Sequence, residues 1–578
     1  MKKIKNIKNW IIVILSVVTM GSCSPSFLDR PPLDAISASV AYETDAQVMA
    51  ANAPLYNYAW FNYNDVASFN LCDFRGGDAM SQYSNQDNVW FSTTPGTQAN
   101  MDAWTSFYNV IGQSNITISN INQYTGPNVS PSVKTNAIGE ARFMRALAYR
   151  FLVMYWGAVP IITDNVSLLS DPLSARPNTV QSIWKFITYE MRQAADELPE
   201  TPYSAGRVTK WSAEGMLARF YLSRAGVESS GGQRNQQFLD SARYYAQDVI
   251  TKSGKTLLST YRDLFLAAPT GTAYNNNNES LFELQWVYTP TMSYGYNNTT
   301  LSQIGPDPSI MNGDGWGGDK GATLWMISQY DGFTWSSTGD TLKGRTLDQR
   351  LKETFMMPGF VYPEITRTLG TVDQKPFIYP NNTFGGSTFD GSVSEDHSSA
   401  NFKKYIIGQA KDVGGNSAKQ NYPNDTYMLR LAELYLIYAE AVLGNQTSTS
   451  DPTALQYFNA VHTRAGLPPV TDPLTIDIIL KERYCEFAIE GVIWFTLADL
   501  HYWNPQKTYD IINSQYRSLF YIMVDKFPDP TVWTFVKTAY VTQDYATASD
   551  GNFLLPLPAG EVTQAPNLKD PPVDYYAQ

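Results

Sequence analysis

The apolar positions in the first half of the chain recur with the period of an α-helix. Spacings of four and three separate Ala137, Ala141, Met144, Ala148, Phe151 and Tyr155. Residues at these spacings lie on one helical face, so the segment predicts an amphipathic helix. Gly157 and Pro160 follow and predict its end.

The helical period covers two long parts of the chain. The first extends from Met101 to about Ser253 and includes predicted helices at 180–198, 212–225 and 239–252. The second includes predicted helices at 427–444, 452–465 and 474–491. Amphipathic helices of similar length joined by short loops are typical of antiparallel helix pairs stacked as in tetratricopeptide proteins. We therefore predict a mainly α fold of stacked tetratricopeptide-like helix pairs.

An irregular segment separates the two helical parts. Residues 274–421 are rich in Asn, Gly, Thr, Ser and aromatic residues and show little periodicity. This texture predicts a large loop-rich insertion with short strands, and loops of this length are usually functional. A second variable region is predicted at about 56–100, and both belong to a single predicted domain, 23–578.

The first 22 residues have the order of a lipoprotein signal peptide. Four lysines lie among the first eight residues, an apolar run extends from Trp10 to Met20, and Cys23 follows Gly21 and Ser22. The run is about half of the roughly 20 residues that a membrane-spanning helix needs. We expect Cys23 to become the acylated first residue of the mature chain. An ordinary secretory signal and a single membrane helix are the alternatives.

Charge and composition exclude several classes of function. The net charge of −12 argues against nucleic acid or an anionic lipid face as the main partner. Three histidines, and two cysteines besides Cys23 (Cys72 and Cys485), leave little for a zinc site or a disulfide framework. We expect no metal and no cofactor. Aromatic residues make up 13% of the chain, and many stand in Gly-, Asn- and Ser-rich stretches.

Ten sequence motifs, in order, carry a family resemblance. They are CSPSFLDRPPLD, EARFMRALAYRFLVMYWGAVPIIT, GRVTKWSAEGMLARFYLSRAG, NNNESLFELQW, LDQR, NFKKY, MLRLAELYLIYAEAV, AVHTRAGLP, ILKERYCEFAIEG and FLLPLPAGEV. Through them the chain resembles, almost end to end, the RagB/SusD family of outer-membrane lipoproteins of Bacteroidetes. One segment departs: after EFAIEG the family usually continues with a basic residue, Trp, Phe and Asp, whereas Val492, Ile493, Trp494, Phe495 and Thr496 follow here. The departure puts a local charge network in doubt, and not the fold.

The resemblance implies a function in nutrient uptake. Members of this family are similar to substrate-binding lids on a SusC-like TonB-dependent outer-membrane transporter, and they capture glycan for import. For this chain the resemblance implies a non-catalytic glycan-binding lipoprotein, anchored in the outer membrane through palmitate or other acyl chains and facing the cell surface.

Two stretches have the composition of a sugar site. Sugar rings present flat C–H faces and an edge of hydroxyls, so a site needs aromatic planes beside polar side chains. The first stretch offers Trp60, Asp73, Arg75, Asp78, Tyr83 and Trp90. The second offers Trp286, Tyr294, Tyr296, Trp316 and Trp335. Trp316 and Trp90 are the first candidates, whereas Trp286 follows a strand pattern and is the better candidate for the core.

Two other clusters of polar residues are candidates for metal binding or catalysis. Asn312, Asp314 and Asp319 supply oxygen atoms on a Gly-rich loop, but they lack the spacing of a calcium loop, so we expect a solvated loop. The pairs Glu482/Glu486 and Glu433/Glu440 could suggest the acid and base of a glycosidase. They stand in helical segments, where charge at these spacings normally marks a solvated face or an ion pair with neighbours such as Arg430 and Arg483.

Three functions therefore remain open. The first is glycan capture, the second is oligopeptide binding by a member of the same family, and the third is a surface glycosidase. The abundance of aromatic residues favours sugar over peptide, because a peptide site needs backbone hydrogen-bonding grooves more than flat platforms.

Overall fold

The structure, a computed structural model, describes residues 41–171, 173, 175–266, 275–291, 295–380, 400–538 and 543–577. The signal peptide, the predicted lipidation site Cys23 and the candidate Tyr294 lie outside the described residues. In the described ranges, no helix combines the length and the apolar character needed to cross a membrane.

Helices form most of the regular structure. In chain order they are α1 Asp45–Ala51, α2 Gln86–Val89, α3 Gln98–Tyr124, α4 Pro131–Trp156, α5 Asn165–Ser170, α6 Val180–Glu197, α7 Lys210–Val227, α8 Gln236–Lys252, α9 Thr300–Ile304, α10 Leu324–Gln329, α11 Arg350–Thr354, α12 Leu431–Leu443, α13 Pro452–Arg464, α14 Ile476–Phe487, α15 Ile493–Trp503, α16 Pro505–Ser514 and α17 Ala559–Gln564. The strands are β1 Ala79–Ser81, β2 Ser280–Leu284, β3 Lys320–Ala322, β4 Phe333–Trp335, β5 Thr341–Gly344, β6 Phe355–Met356, β7 Val361–Tyr362, β8 Arg367–Leu369, β9 Val372–Gln374, β10 Phe377–Ile378, β11 Asn401–Phe402, β12 Thr426–Arg430, β13 Phe520–Val524 and β14 Trp533–Lys537.

Local sequence explains where the long helices begin and end. The Thr209 side chain accepts a hydrogen bond from the Ser212 amide at the start of α7. The Asp451 carboxylate accepts from two amides at the start of α13. Such caps satisfy amide groups that have no partner inside the helix. At the other end of α4, Gly157 adopts a φ of 71°, a conformation that suits glycine, and ends the helix as predicted.

Successive long helices pack against one another. Helix α4 packs on α3 and α6, α6 on α7, α7 on α8, α8 on α12, and α12 on α13. Arg142 of α4 forms ion pairs with Glu190 and Glu197 of α6, and Tyr149, further along α4, contacts Phe186, nearer the start of α6, so these two helices run antiparallel. The predicted mainly α fold with stacked helix pairs is confirmed.

The insertion contains short strands, as predicted, and three of its strands pair with segments outside it. Strand β12 pairs with β2, so residues 427–430 form a strand and not the start of a helix. The predicted helix is wrong there because the β2 backbone offers a partner that periodicity alone does not reveal. Strands β5 and β4 extend the C-terminal hairpin into a four-stranded sheet in the order β13-β14-β5-β4.

Candidate functional site

Side-chain hydrogen bonds join the two predicted ligand stretches. The Asn64 amide donates to Asn298 Oδ1 at 3.1 Å and to Thr300 Oγ1 at 2.9 Å. Beside it, the Thr299 hydroxyl donates to the Asp65 carboxylate. These contacts fix the start of α9 against residues 63–67 of the first stretch, although more than 230 residues separate the two segments in the chain.

A stacked pair of tyrosines marks one part of the joined surface. Tyr58 is 55% exposed and Tyr296 is 44% exposed, and their ring centroids lie 5.2 Å apart with 23° between the ring planes. Gly295 makes this approach possible: its φ is +96°, and a Cβ atom there would lie 2.9 Å from the Tyr58 ring. The two rings therefore cover each other on one face, and each remains about half exposed to solvent.

Trp316 and Tyr83 mark the other part. Trp316 is 46% exposed, and its amide donates to the Ser302 carbonyl of α9 at 2.8 Å. Tyr83 is 68% exposed, and the preceding Gln82 amide donates to the Asp319 carbonyl at 2.9 Å. Helix α9 thus connects the two parts. We name the four side chains Tyr58, Tyr83, Tyr296 and Trp316 the aromatic surface.

The Asp319 carboxylate holds the loop that carries Tyr83 in place. Asp319 accepts from the Ser81 hydroxyl at 2.8 Å and from the Ser84 hydroxyl at 2.7 Å. Burial opposes ionisation, but the nearby Lys320 ammonium and these hydroxyls together hold the pKa of Asp319 below its ordinary value. Asp319 is therefore ionised at neutral pH and fastens the first stretch to the second.

Two further candidates are half-buried. Trp90 follows α2, and its amide donates to the Gln86 carbonyl at 3.0 Å. Trp335 lies in β4, at the edge of the four-stranded sheet, where the Lys537 ammonium lies 4.8 Å from its ring centroid. Trp335 therefore stands on the sheet that the C-terminal hairpin forms, and not in the segments that carry the aromatic surface.

Two candidate tryptophans lie in the core, which removes them from any surface that a glycan could reach. Trp60 is 0% exposed and donates its indole N–H to the Leu55 carbonyl at 2.8 Å. Trp286 is also buried and donates its indole N–H to the Thr426 hydroxyl at 3.1 Å. Each indole finds both its apolar contacts and its hydrogen-bond acceptor inside the protein, which is the usual arrangement of core tryptophan.

The two candidate aspartates are buried as well. Asp73 accepts from the Gly491 amide at 3.1 Å and Asp78 from the Ile489 amide at 2.9 Å. Burial raises the pKa of Asp78 to about 7, and burial together with Asp78 raises the pKa of Asp73 well above its ordinary value. They hold the segment that follows α14 and are not sugar-binding groups at the surface.

Arg75 is the last buried candidate. Its guanidinium lies 4.6 Å from the Trp494 ring centroid and donates to the Thr93 hydroxyl at 3.2 Å and to the Asn552 carbonyl. Arg75 therefore connects the first stretch to the C-terminal segment. Its charged group is used inside the protein, and this removes it from the proposed ligand surface.

The Gly-rich loop uses its oxygen atoms internally. Asp314 is buried and accepts from the Tyr422 hydroxyl at 2.6 Å and from the Gln420 amide at 2.8 Å. Asn312 accepts from the Ala410 amide at 2.6 Å. The loop is therefore not the solvated loop that we expected. In the part of the chain that the structure describes, no group of three or more His, Cys, Asp or Glu side chains is arranged to hold a metal ion.

The helical carboxylates form buried ion pairs, which is one of the two expected arrangements, and not a solvated face. Glu486 accepts from Arg430 at 3.0 Å, from Arg350 at 3.3 Å and from Arg464, and Glu433 accepts from Arg219 at 2.9 Å. Burial alone would raise the pKa of both carboxyls, but the surrounding guanidinium groups hold each pKa at about 2. A glycosidase acid needs a raised pKa, so the arrangement is the opposite of a catalytic one.

Sequence reasoning missed Tyr58. It stands two residues before Trp60, in the first candidate stretch, and the pattern of residue types does not distinguish the exposed ring from the buried one. Gly295 was the signal in the sequence that could have identified the Tyr58 ring, because a glycine before Tyr296 allows another ring to approach closely.

Stacked helix pairs that carry a large irregular insertion define a class of tetratricopeptide-like proteins. Comparison with family models shows the family: the model described as "SusD family" matches residues 278–575, and the one described as "Starch-binding associating with outer membrane" matches residues 27–222. The chain belongs to the SusD family.

Relatives align over nearly the whole chain. A SusD-like protein of Bacteroides ovatus is 33% identical over 98% of this chain and 98% of its own. A solved structure described as a complex with xylogluco-oligosaccharide is 30% identical and covers 91% of this chain and 99% of its own, with a TM-score of 0.76. A laminarin-binding SusD-like protein, at 19% identity, has a TM-score of 0.60 over 91% of this chain and 98% of its own, and shows the shared fold.

Proposed function

We propose that this protein is a glycan-binding lipoprotein of the outer membrane, which captures oligosaccharide or polysaccharide on its aromatic surface without cleaving it. The observation that carries the proposal is the exposure of Tyr58, Tyr83, Tyr296 and Trp316 on two segments joined through α9. The similarity to a structure with bound xylogluco-oligosaccharide, at 30% identity, supports sugar as the ligand class.

Exposed rings suit the chemistry of sugars. A pyranose covers about 100 Å² of ring face, and at roughly 25 cal/mol per Å² each platform contributes about 2.5 kcal/mol before ordering costs. Two platforms and a few hydrogen bonds correspond to about micromolar to millimolar affinity. Such weak capture allows the cargo to be released to a transporter.

The test is calorimetry of the mature protein against a panel of glycans that includes xyloglucan oligosaccharides and laminarin. For a glycan that binds, Trp316→Ala and Tyr296→Ala are each expected to weaken binding about tenfold, the equivalent of about 1.4 kcal/mol. Tyr244→Ala is the matched control, because Tyr244 is 60% exposed on the scaffold helix α8. If only the control variant Tyr244→Ala loses glycan affinity, the binding site lies on the scaffold and not on the aromatic surface.

The same panel separates the alternative cargo and the enzymatic alternative. If peptides raise the unfolding temperature of the protein and glycans do not, the result would favour the hypothesis that the cargo is an oligopeptide. New reducing ends after long incubation with a bound glycan would favour a glycosidase, whereas the ion-paired carboxylates of α12 and α14 support binding without cleavage.

The proposal includes an anchor and a partner. Acylated Cys23 would hold the protein at the outer membrane, and Cys23→Ala is expected to release it into the soluble fraction. The partner would be a SusC-like TonB-dependent transporter, and co-purification of such a transporter with the tagged native protein tests this part separately.

A further inference from the structure

A pocket lies between the segment that follows α2 and the C-terminal segment, apart from the four rings of the aromatic surface. Its volume is about 290 Å³, and it is lined by Arg75, Phe91 and Thr93 on one side and by residues 551, 552 and 554–556 on the other. Small-molecule sites commonly have volumes of about 300–1,000 Å³, so the pocket has room for a small organic molecule.

Arg75 is the charged residue of this lining. Its side chain is 2% exposed, and burial lowers the pKa of Arg75 to about 10, so it carries its charge at neutral pH. Nη1 donates to the Thr93 hydroxyl at 3.2 Å and Nη2 donates to the Asn552 carbonyl. Nε is buried and has no partner among the described residues. A guanidinium has five N–H groups, so three of them remain for a ligand.

Neutral groups surround the Arg75 charge. In the part of the chain that the structure describes, Arg75 forms no ion pair, and its guanidinium carbon lies 4.6 Å from the Trp494 ring centroid and 5.0 Å from that of Phe91. Asp87 is the carboxylate whose charge reaches it, and that carboxylate accepts from the Thr97 hydroxyl at 2.8 Å. A buried charge without a counter-ion in contact costs free energy, and a carboxylate bound beside it offsets that cost.

Arg517 places a second positive charge against the Phe91 ring. Its side chain is 0% exposed, and its guanidinium carbon also lies 5.0 Å from the ring centroid. It donates to three backbone carbonyls at 2.8–3.1 Å and to the Gln515 side chain, and no carboxylate of the described residues pairs with it. Asp78, whose charge reaches Arg517, is bound by a backbone amide. One wall of the pocket is therefore cationic.

The other wall is largely apolar and open to solvent. It is formed by the side chains of Leu554, Leu555 and Pro556, of which Leu554 is 47% exposed and marks the open side. Phe553 is not part of this wall, because its ring stacks on Trp494 with the centroids 5.2 Å apart. A ligand in the pocket thus meets one cationic group and one apolar surface.

We propose that this pocket binds a small monocarboxylate, whose carboxylate accepts hydrogen bonds from Arg75 and whose apolar body lies against Leu554 and Pro556. Hydrogen bonds between a guanidinium and a carboxylate are roughly twice as strong as those between neutral groups. The ligand joins the first candidate stretch to the C-terminal segment, and it stabilises the folded state because it binds only that state. The site is independent of the proposed glycan function.

The first experiment measures thermal unfolding of the mature protein at constant ionic strength, while sodium benzoate or butyrate replaces sodium chloride. Benzamide and butyramide are the controls, because they have the same shape without the charge. The midpoint is expected to rise by about 1–2 °C, with saturation, for the carboxylates alone. An equal rise with the amides would contradict the role of Arg75, and no saturable rise with either carboxylate would overturn the proposal.

A parallel titration tests the apolar body of the ligand. Sodium galacturonate carries a carboxylate on a polar sugar ring, which gains little from contact with leucine and proline side chains. We expect it to raise the midpoint less than benzoate does at equal concentration. A rise as large as that with benzoate would contradict the assignment of an apolar ligand.

The second experiment locates the ligand. Crystals soaked in 4-bromobenzoate are expected to show an anomalous bromine peak beside Leu554 and a carboxylate within hydrogen-bonding distance of Arg75. Bromine peaks elsewhere, with this pocket empty, would contradict the proposal.

A matched pair of variants at the open side of the pocket tests the charge requirement. Leu554→Glu should abolish the thermal response to benzoate, because its carboxylate competes for Arg75 and repels the ligand. Leu554→Gln has a side chain of the same size without the charge and should keep most of the response. Equal responses in the two variants would refute the assignment. This pair is informative even if Arg75→Met does not fold, because Leu554 is half-exposed.

Discussion

The helical scaffold and the aromatic surface use the same residue types in opposite ways. In the scaffold, charged residues such as Glu486 and Arg430 are buried and paired. On the aromatic surface, large rings such as Tyr58 and Trp316 are exposed. Burying a charged group and exposing an apolar ring both cost free energy. Ion pairs offset the cost of the buried charges in the scaffold, and by our proposal bound sugar covers the exposed rings of the aromatic surface.

Tyr58 and Trp60 show the same contrast between an exposed and a buried ring within one short segment. Trp60→Ala is expected to cost about 3–5 kcal/mol of unfolding free energy, because it leaves a large cavity in the core. Tyr58→Ala is expected to cost less than about 1 kcal/mol and to weaken glycan binding. Urea unfolding of both variants checks the difference. Equal losses would mean that burial does not separate the two rings.

The buried ion pairs predict a second large effect. Glu486→Gln removes the charge shared by Arg350, Arg430 and Arg464, and it is expected to destabilise the protein by about 3–5 kcal/mol without changing glycan affinity in the folded fraction. Asp331→Asn, which breaks an exposed pair with Lys481, is the control and should cost about 0.5 kcal/mol or less. A mild effect of Glu486→Gln would show that the network is not stabilising.

The pKa shifts predict a stability maximum near pH 5. Glu433 and Glu486 have pKa values lowered from 4.5 to about 2, so each contributes about 3 kcal/mol above pH 4.5 that is lost as the pH falls toward 2. Asp78 has its pKa raised from 3.8 to about 7, so its contribution is lost as the pH rises through that range.

Urea unfolding between pH 3 and pH 8 measures both limbs of this profile. Asp78→Asn should reduce the loss between pH 5 and pH 7, because an amide side chain has no proton to lose, whereas Glu140 and Glu283, whose pKa values burial also raises to about 7, keep their share of it. A profile of the native protein that rises steadily to pH 8 would contradict the assignment of Asp78.

Sequence alone predicted the scaffold far better than the site. Helical periodicity and end signals located α6, α7 and α8 and the end of α4 to within a few residues, because those signals are local. Residues 53–74 were not predicted, since their short 3₁₀ and π turns have no period of their own. Asp73, Asp78 and Trp286 were proposed as ligand residues, but distant segments around 425 and 490 bury them.

The smallest expected effect concerns Gly295. An alanine there would press its Cβ against the Tyr58 ring in a strained backbone conformation, and it should separate the stacked tyrosines. We expect a stability loss of about 1–2 kcal/mol and a several-fold loss of glycan affinity. Calorimetry with Gly126→Ala as the control checks this, because a Cβ atom at Gly126 meets nothing within 4 Å. Unchanged affinity in the Gly295 variant would remove the stacked pair from the site.

Glycan affinity of the double variant Trp316→Ala/Tyr296→Ala tests the central claim most directly. This variant changes both parts of the aromatic surface and leaves the buried ion pairs intact. For a glycan that binds the native protein, we predict an affinity loss of about a hundredfold with little change in unfolding temperature. Binding as tight as that of the native protein would contradict the account.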